Sequence, residues 1–503
     1  MKLDGENLTA EKLVLTIRSG EKIEISSEAK DRINASRAFV EEMFAKKELA
    51  YGTTTGIGEL ANVVLSPEKA RKLSTYMVYS HASGFGKPVS DEECKSAIIS
   101  RLNVFCKGVS GVRLEVVEFI AEMINRGVVP VMYPASVGAC GDLAPLAQAM
   151  LVPLGKGEAF FNGERMSGEQ ALEMVGLQSI QYEIRDGLAV INGSQLTVGL
   201  GALAVTDTNL LVKTSEIIAA LTFEALKAVP MAFTERIFTL RGFPGGVKSA
   251  RNIRKLIDGS NLIGSSDKVQ NAYSIRSTPQ VIGAVKDSLN FTREQIEIEL
   301  NAGADNPLFP PGQYLAGANF QGTPIALPLE LLGIAVTNVS VISERRLNRL
   351  VNPNLNEGLP GFLINGAGMY SGIMIPQYTA ASLVNRNRIL CTPAATGSIP
   401  TAADQEDFVS MGTNTAIKTR EIIDNSFGVL AIELLAAAQA VDFRKQEGGK
   451  LGKGTQIAYD IVRKYVTFLE EDRPLYPDIE KLAEVLKSGE ILQEVEKVVG
   501  GLE

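Results

Sequence analysis

Ala139-Cys140-Gly141 is a tripeptide whose residue types and order permit chemistry on the backbone itself. Gly141 has no side chain, so its amide nitrogen can approach the carbonyl carbon of Ala139 and close a five-membered ring. Eliminating the Cβ substituent of Cys140 would leave an exocyclic methylidene conjugated to an imidazolone, an electrophile made from the chain. A serine would lose water; Cys140 must lose hydrogen sulfide. The bland alternative is a glycine turn with a buried, inert cysteine ahead of an apolar helix. Taken alone, the tripeptide favours that alternative.

Other chemistry-bearing residues recur along the chain. The glycine-rich stretch Tyr51-Gly-Thr-Thr-Thr-Gly-Ile-Gly58 presents one phenol, and with no Lys beside it makes a poor phosphate cradle. His81, the one histidine, lies in Ser80-His81-Ala-Ser-Gly84, where a satisfied core imidazole is the ordinary reading. Further on stand Ala189-Val-Ile-Asn192-Gly-Ser-Gln195, Val269-Gln270-Asn-Ala-Tyr273-Ser-Ile-Arg276 and Asn301-Ala-Gly-Ala-Asp305-Asn306-Pro307. Ala318-Asn319-Phe320-Gln321-Gly322, Ser343-Glu-Arg-Arg346 and Gln405-Glu406-Asp407 follow. Arg276 offers a planar fork that suits a carboxylate. Alternatively, Arg276 and Tyr273, three residues apart, form a solvated helix pair.

In this order the segments resemble the signatures of the aromatic amino-acid ammonia-lyases and aminomutases, the histidine ammonia-lyase family. Residues 135–146 are similar to its A-S-G-D-L-A-P-L, and residues 51–58 to Y-G-x-x-T-G-x-G. The later segments resemble S-H-A-x-G, L-I-N-G-T-Q, V-Q-D-x-Y-S-x-R, N-S-x-x-D-N-P-L, G-N-F-H-G, S-E-R-R and Q-E-D-H-V-S-M. The resemblance runs through roughly residues 8–440. It implies a 4-methylideneimidazol-5-one (MIO) group formed from Ala139, Cys140 and Gly141, with no metal and no nucleotide. It implies Tyr51 as the base for the substrate's β-proton, its pKa lowered from about 10 by positive charge or helix N-termini. Tyr273 is the second phenol, Asn192 holds the prosthetic group and the substrate amine, and Arg276 holds the carboxylate. Gln270, Phe320 and Glu406 fall among the substrate-binding positions, and the register of His81 is that of the histidine-specific branch. The implied assembly is a homotetramer with composite sites acting on a small amino acid.

Four departures stand out. Cys140 replaces the family's serine. In Val384-Asn385-Arg386-Asn387-Arg388, Arg386 replaces the glutamate of histidine-specific relatives. Gln321 and Phe408 replace two histidines. Arg386 either faces the substrate, favouring an anionic ring group, or turns outward into an interhelix ion pair. The favoured function is ammonia elimination from an aromatic L-amino acid, histidine or a histidine derivative, to give a trans-2-enoate. The alternatives are an MIO-free trimethylamine lyase on a betaine such as ergothioneine, an aromatic 2,3-aminomutase, and a phenylalanine or tyrosine ammonia-lyase. A non-catalytic scaffold of the same fold would need none of Tyr51, Tyr273 and Arg276.

These residues must be positioned by helices. Residues 28–50, 66–82 and 110–126 read as amphipathic helices, the second with Ser66 as N-cap and Pro67 at its first position. Residues 151–195 are the least helical, and Asn162-Gly163 reads as a hairpin turn. Long apolar helices occupy about 196–228, 323–350, 371–390 and 412–445. The run 322–342 is long enough to span a membrane, but Pro328 and Glu330 favour burial in a bundle. Residues 443–455 read as a linker before an amphipathic segment at 456–499, and Gly448-x-x-x-Gly452-Lys453 is one residue short of a P-loop. The expected fold is mostly α, a long helical bundle of the ammonia-lyase/fumarase type. The expected division is residues 1–195 with the MIO and Tyr51 loops, 196–445 as the bundle, and 446–503 as a C-terminal helical segment.

Composition limits the partners. The 503 residues are 45% apolar and 21% charged, as in a folded globular protein. A net charge of −8 without a basic tract argues against nucleic acid. The four cysteines lack zinc-site pairing, and the N-terminus has acids and no apolar stretch, which leads to the expectation of a reducing cytoplasm and no membrane.

Overall fold

The structure is a computed structural model that describes residues 1–366 and 368–503. The helices before the site loops are α1 (Ala10–Ser19), α2 (Ser27–Ala45), α3 (Pro67–His81), α4 (Asp91–Cys106) and α5 (Leu114–Asn125). Then come α6 (Leu143–Met150), α7 (Gly168–Met174), α8 (Asp186–Ile191) and α9 (Gln195–Ala225). α10 (Glu235–Arg241), α11 (Pro244–Leu256), α12 (Tyr273–Arg276), α13 (Thr278–Leu300) and α14 (Thr323–Val351) follow. The chain closes with α15 (Met374–Leu390), α16 (Gly412–Gln446), α17 (Lys453–Tyr465), α18 (Tyr476–Ser488) and α19 (Glu490–Val499). Strands are few: β1 (Lys2–Leu3) pairs in parallel with β2 (Glu24–Ile25), and β3 (Val129–Pro130), β4 (Glu158–Phe161) and β5 (Glu164–Ser167) form an antiparallel sheet. The mostly α architecture is the one expected.

Local chemistry explains the boundaries. Ser66 caps α3 through its side-chain oxygen, with Pro67 at the first position, as the sequence predicts. Asn162 and Gly163 turn β4 into β5 with φ of 52° and 82°, the left-handed pair a two-residue hairpin needs. α2 stops at Ala45, short of the expected residue 50, and Lys47 takes a φ of 60° as the chain turns towards Tyr51. The amphipathic segment expected at 456–499 consists of three helices, broken after Tyr465 and at Gly489, whose φ is 78°.

Contacts divide the chain into two compact units, each discontinuous in sequence. The first comprises Met1–Thr206, Thr292–Glu330 and Pro393–Ile417; the second comprises Asp207–Phe291, Leu331–Thr392 and Lys418–Glu503. Four of the five boundaries fall inside helices, α9, α13, α14 and α16, and the fifth, at Thr392–Pro393, falls between α15 and α16. α9, α14 and α16 are long and apolar enough to cross a membrane, yet their apolar stretches are mostly buried within the protein. Glu330 is buried too, and accepts hydrogen bonds from Ala394 N, Ala395 N and Thr415 Oγ1.

In the second unit a single buried ion pair ties four long helices together. Arg346 on α14 donates from Nε and Nη2 to the two oxygens of Glu433 on α16, at 2.6 and 2.7 Å. Thr222 of α9 and Ser343 of α14 complete the carboxylate at 2.8 and 2.6 Å, and Thr278 of α13 takes a third guanidinium nitrogen at 3.4 Å. Ser343-Glu-Arg-Arg346 is therefore a packing motif. The Gly448–Lys453 segment also lies in this unit, where the Glu224 carboxylate accepts Gly452 N at 2.7 Å. A carboxylate in that place is incompatible with a phosphate cradle.

Removing one partner of such a pair leaves a buried charge exposed to nothing. Arg346→Met is expected to destabilise the protein by about 3–5 kcal/mol, read from urea unfolding. A loss below about 1 kcal/mol would mean that water reaches Glu433.

Candidate active site

The cyclisable tripeptide lies in the first unit, in a bend leading into α6. Gly141 adopts φ +72° and runs alongside Gly193, and the amide of Asp142 donates to the Gly193 carbonyl at 2.7 Å. A Cβ on Gly141 would stand 2.1 Å from the Gly193 carbonyl carbon, so only glycine fits. Asp142 is wholly buried and takes donors from Thr197 N at 2.8 Å, Thr197 Oγ1 at 3.2 Å and the Thr413 hydroxyl. Burial raises its pKa, and these donors oppose the rise. Thr197 opens α9 and Thr413 opens α16, while Ser194 Oγ binds Phe320 O at 2.8 Å just ahead of α14. The N-termini of α6, α9, α14 and α16 thus meet around the tripeptide, and their partial positive charge favours developing negative charge there.

Above this floor is a cleft of about 280 Å³ lined by Tyr51, Gly58, Leu60, His81, Cys140, Leu143, Leu188, Asn192, Phe320 and Glu406. α3 delivers His81 from its last turn, and α8 delivers Asn192 just after its end. The two helices pack so closely that a Cβ on Gly187 would lie 2.0 Å from Ser74 O. His81 Nδ1 is 2.7 Å from the Met77 carbonyl, an acceptor, so Nδ1 carries the proton. Nε2 is then the lone-pair acceptor available to a ligand. Asn192 Nδ2 donates to Asn306 O at 2.6 Å and to Asp305 Oδ1 at 3.3 Å, which leaves the buried Oδ1 without a partner. Asp305 itself is gripped by two fully buried arginines, Arg101 at 3.1 Å and Arg185 at 2.8 Å.

Burial favours the neutral forms of Tyr51 and Cys140. The Tyr51 hydroxyl accepts Gly58 N at 2.8 Å. Burial nevertheless raises its pKa, with Cys140 and Glu406 adding to the rise and only the Gly58 amide and Arg185 opposing it. The expected lowering is thus reversed within one chain, because burial of the phenol outweighs the Gly58 amide and the Arg185 charge. Cys140 Sγ donates to Glu406 Oε1 at 3.1 Å, and burial, then Glu406, push the thiol well up.

The structure does not bring all the expected residues together. Gln270, Tyr273 and Arg276 line another cavity, of about 500 Å³ in the second unit, and none of them is among the residues lining the cleft. Tyr273 is 73% exposed, with the Arg276 guanidinium 4.6 Å from its ring centroid. Arg386 does not line the cleft either; it is exposed on α15, and its Nε donates to Glu421 Oε1 at 2.8 Å, the outward ion pair. Gln321 accepts from Thr323 N and Oγ1 at the start of α14, and Phe408 is exposed. Sequence reasoning missed Arg101, Arg185, Thr197 and Thr413, which hold the site without lining it.

Residues 8–464 match the family described as "Aromatic amino acid lyase". The chain belongs to that family. Histidine ammonia-lyase of Clostridium tetani (strain Massachusetts / E88) is 44% identical over 503 residues, covering 99% of this chain and 98% of that protein. The crystal structure of histidine ammonia-lyase from Trypanosoma cruzi matches with a TM-score of 0.92 at 34% identity, covering 99% of this chain and 95% of that one. Tyrosine aminomutase from Streptomyces globisporus matches with a TM-score of 0.95 at 34% identity, covering 99% and 98%. This aromatic amino acid lyase therefore has the ammonia-lyase fold, and as a carbon–nitrogen lyase it is an ammonia-lyase by class.

For this lyase the Gly141–Gly193 contact is a direct test of the floor. Gly141→Ala is expected to cost about 1–3 kcal/mol, the usual cost of overpacking, and to hold the chain at its full sequence mass. An unchanged melting temperature would show that the two backbones are free to separate.

Proposed function

We propose that this lyase removes ammonia from histidine or a closely related histidine derivative through an MIO group formed from Ala139, Cys140 and Gly141. The observation that carries the reading is the cleft itself. One phenol, one imidazole acceptor and an unpartnered buried amide oxygen face the cyclisable tripeptide across about 280 Å³. The residues fit the group: Gly141 sits where no Cβ fits, and Asn192 Oδ1 is the buried acceptor beside it. When formed, the group supplies an electrophile that activates the substrate's amine for departure.

The chain's own side chains do the rest. Asn192 Oδ1 accepts an N–H of the substrate amine. His81 Nε2 accepts an N–H from the substrate ring, which suits an imidazole, and Phe320, Leu143 and Leu188 exclude water around it. Tyr51 Oη removes the β-proton as general base. Glu406 contributes a carboxylate beside Cys140. Similarity to histidine ammonia-lyase along nearly the whole chain supports the same substrate class.

A substrate carboxylate needs a cation, and no Lys or Arg is among the residues lining the cleft. Arg276 has the right chemistry, and its buried Nε lacks a hydrogen-bond partner. We assign Gln270, Tyr273 and Arg276 to the cleft of another copy in a homotetramer. Arg276→Lys should raise KM by roughly tenfold, since an ammonium cannot reproduce the bidentate fork. Mixing Arg276→Lys with Tyr51→Phe subunits should restore part of the activity. No restoration, together with an active monomer in light scattering, would overturn the composite site.

The substrate is tested by incubation with histidine, its thio and N-methylated derivatives, phenylalanine and tyrosine, following the absorbance of the conjugated enoate. Turnover confined to phenylalanine or tyrosine would overturn the assignment. Tyr51→Phe should lower kcat by roughly 10²–10⁴-fold, the usual worth of general-base catalysis. The base must be deprotonated and its pKa is raised, so wild-type kcat should climb with pH towards that raised value. The Phe variant should lose the climb. A variant retaining both rate and pH profile would exclude Tyr51 as the base.

A further inference from the structure

Glu406 stands between two cavities, and a short closed turn aims it. With Cys140 it lines the cleft described above; with Ala139 and Gly141 it lines a second cavity of about 680 Å³. The side chain of the tripeptide's middle residue and the backbone on either side of it therefore open to different spaces. Thr401 and Glu406 exchange both backbone hydrogen bonds, at 3.0 and 3.2 Å. Between them Ala402, Ala403 and Asp404 take φ of 50°, 55° and 65°. Three consecutive non-glycine residues in the left-handed region are costly, and persist only where closure of the turn forces them. The turn also fixes a side chain: Thr401 Oγ1 donates to Glu406 Oε2 at 2.8 Å, while Oε1 accepts the Cys140 thiol at 3.1 Å. The carboxylate is held at one oxygen by Thr401 and at the other by the sulfur that must leave.

We propose that Thr401 is a positioning residue for maturation of the tripeptide, fixing Glu406 so that its carboxylate serves the departure of the Cys140 sulfur. The proposal rests on the reading that this segment cyclises. Ring closure joins Gly141 N to the Ala139 carbonyl carbon, and the carbonyl oxygen leaves as water with the amide hydrogens of Gly141 and Cys140. The Cα–H and Cβ–S bonds of Cys140 then break and a carbon–carbon double bond forms. The sulfur leaves with the bonding pair and its own hydrogen, and the Cα proton completes hydrogen sulfide. Glu406, beside the sulfur, is the group placed to carry that proton. Neither an oxidant nor a reductant is needed.

The test follows the full-length chain after cell-free synthesis, by intact mass and by trapped sulfide. The wild type should lose one water and one hydrogen sulfide and release one equivalent of sulfide. Thr401→Val keeps the side-chain shape without the hydroxyl, and should mature about tenfold more slowly or worse, the worth of one hydrogen bond to a charged group. Thr401→Ser should restore the rate. A wild-type chain that keeps its sequence mass would refute cyclisation, and this proposal with it. A wild type that matures, with Thr401→Val keeping pace, would overturn the positioning role alone. Should the Val variant not fold, Glu406→Gln decides: slowed sulfide release supports the role, and release at the wild-type rate removes it.

Discussion

Two backbones with no side chains between them set the geometry of the whole site. Gly141 and Gly193 touch, and the Asp142 amide is hydrogen-bonded to Gly193 O at 2.7 Å. Once they touch, Asn192 is fixed on one side and the tripeptide on the other. The Asp142 carboxylate then gathers Thr197 and Thr413, so two long helices begin where the chemistry must occur. A carboxylate buried this deeply costs several kcal/mol unless its lone pairs are filled. Here three donors fill them, which is why the helix starts cannot drift without exposing an unsatisfied acid.

Beneath that contact lies a second layer that takes no part in the reaction. Asp305 holds Arg101 and Arg185, all three without solvent contact, and the arginines spend their remaining nitrogens on carbonyls of Ala189, Ala304, Ser110 and Pro307. Burial pulls the Arg101 pKa down to about 10, with Asp305 opposing the fall and Arg185 adding to it, so it stays charged at neutral pH. Buried ion pairs of this kind add little net stability, but a wrong arrangement would strand a charge. Arg346 and Glu433 do the same for the bundle helices of the second unit. In both places charge pairing selects one arrangement of loops or helices among many that would bury similar apolar area.

What was legible in the sequence follows from what leaves a local signature. The Ala139-Cys140-Gly141 run, the Tyr51 loop and His81 were legible because backbone chemistry and motif order constrain neighbouring residues. So were the long apolar helices and the Asn162-Gly163 turn, whose φ values the dipeptide nearly dictates. α4 was not: it is buried along nearly its whole length, with Ser96, Ser100, Arg101 and Asn103 inside the core, so it has no apolar stripe to read. The two discontinuous units were equally hidden, because four of the five crossings between them lie inside helices. Thr197 and Thr413 are ordinary residues whose shared partner, Asp142, lies 55 and 271 positions away, and no spacing rule reaches that far. Arg386 shows the opposite limit, since a charge reversal in the sequence cannot say which way the side chain points.

The electrostatics of the cleft limit what it can hold. Tyr51 and Cys140 are both pushed towards their neutral forms by burial, and among the described residues lining the cleft the formal charges are the acids Glu59 and Glu406. An amino acid brings a carboxylate, which such a cleft repels. At about 4 Å and an effective dielectric of 20, one like charge costs roughly 4 kcal/mol and one opposite charge returns as much. On the composite-site reading proposed above, an arginine from another copy would supply that charge, and the same cation would favour the Tyr51 phenolate. On that reading, a base that stays protonated until the carboxylate's partner arrives would be inactive in an unassembled chain. Assembly, substrate binding and activation of the base would then share one charge, which would account for a phenol placed where burial alone keeps it inert.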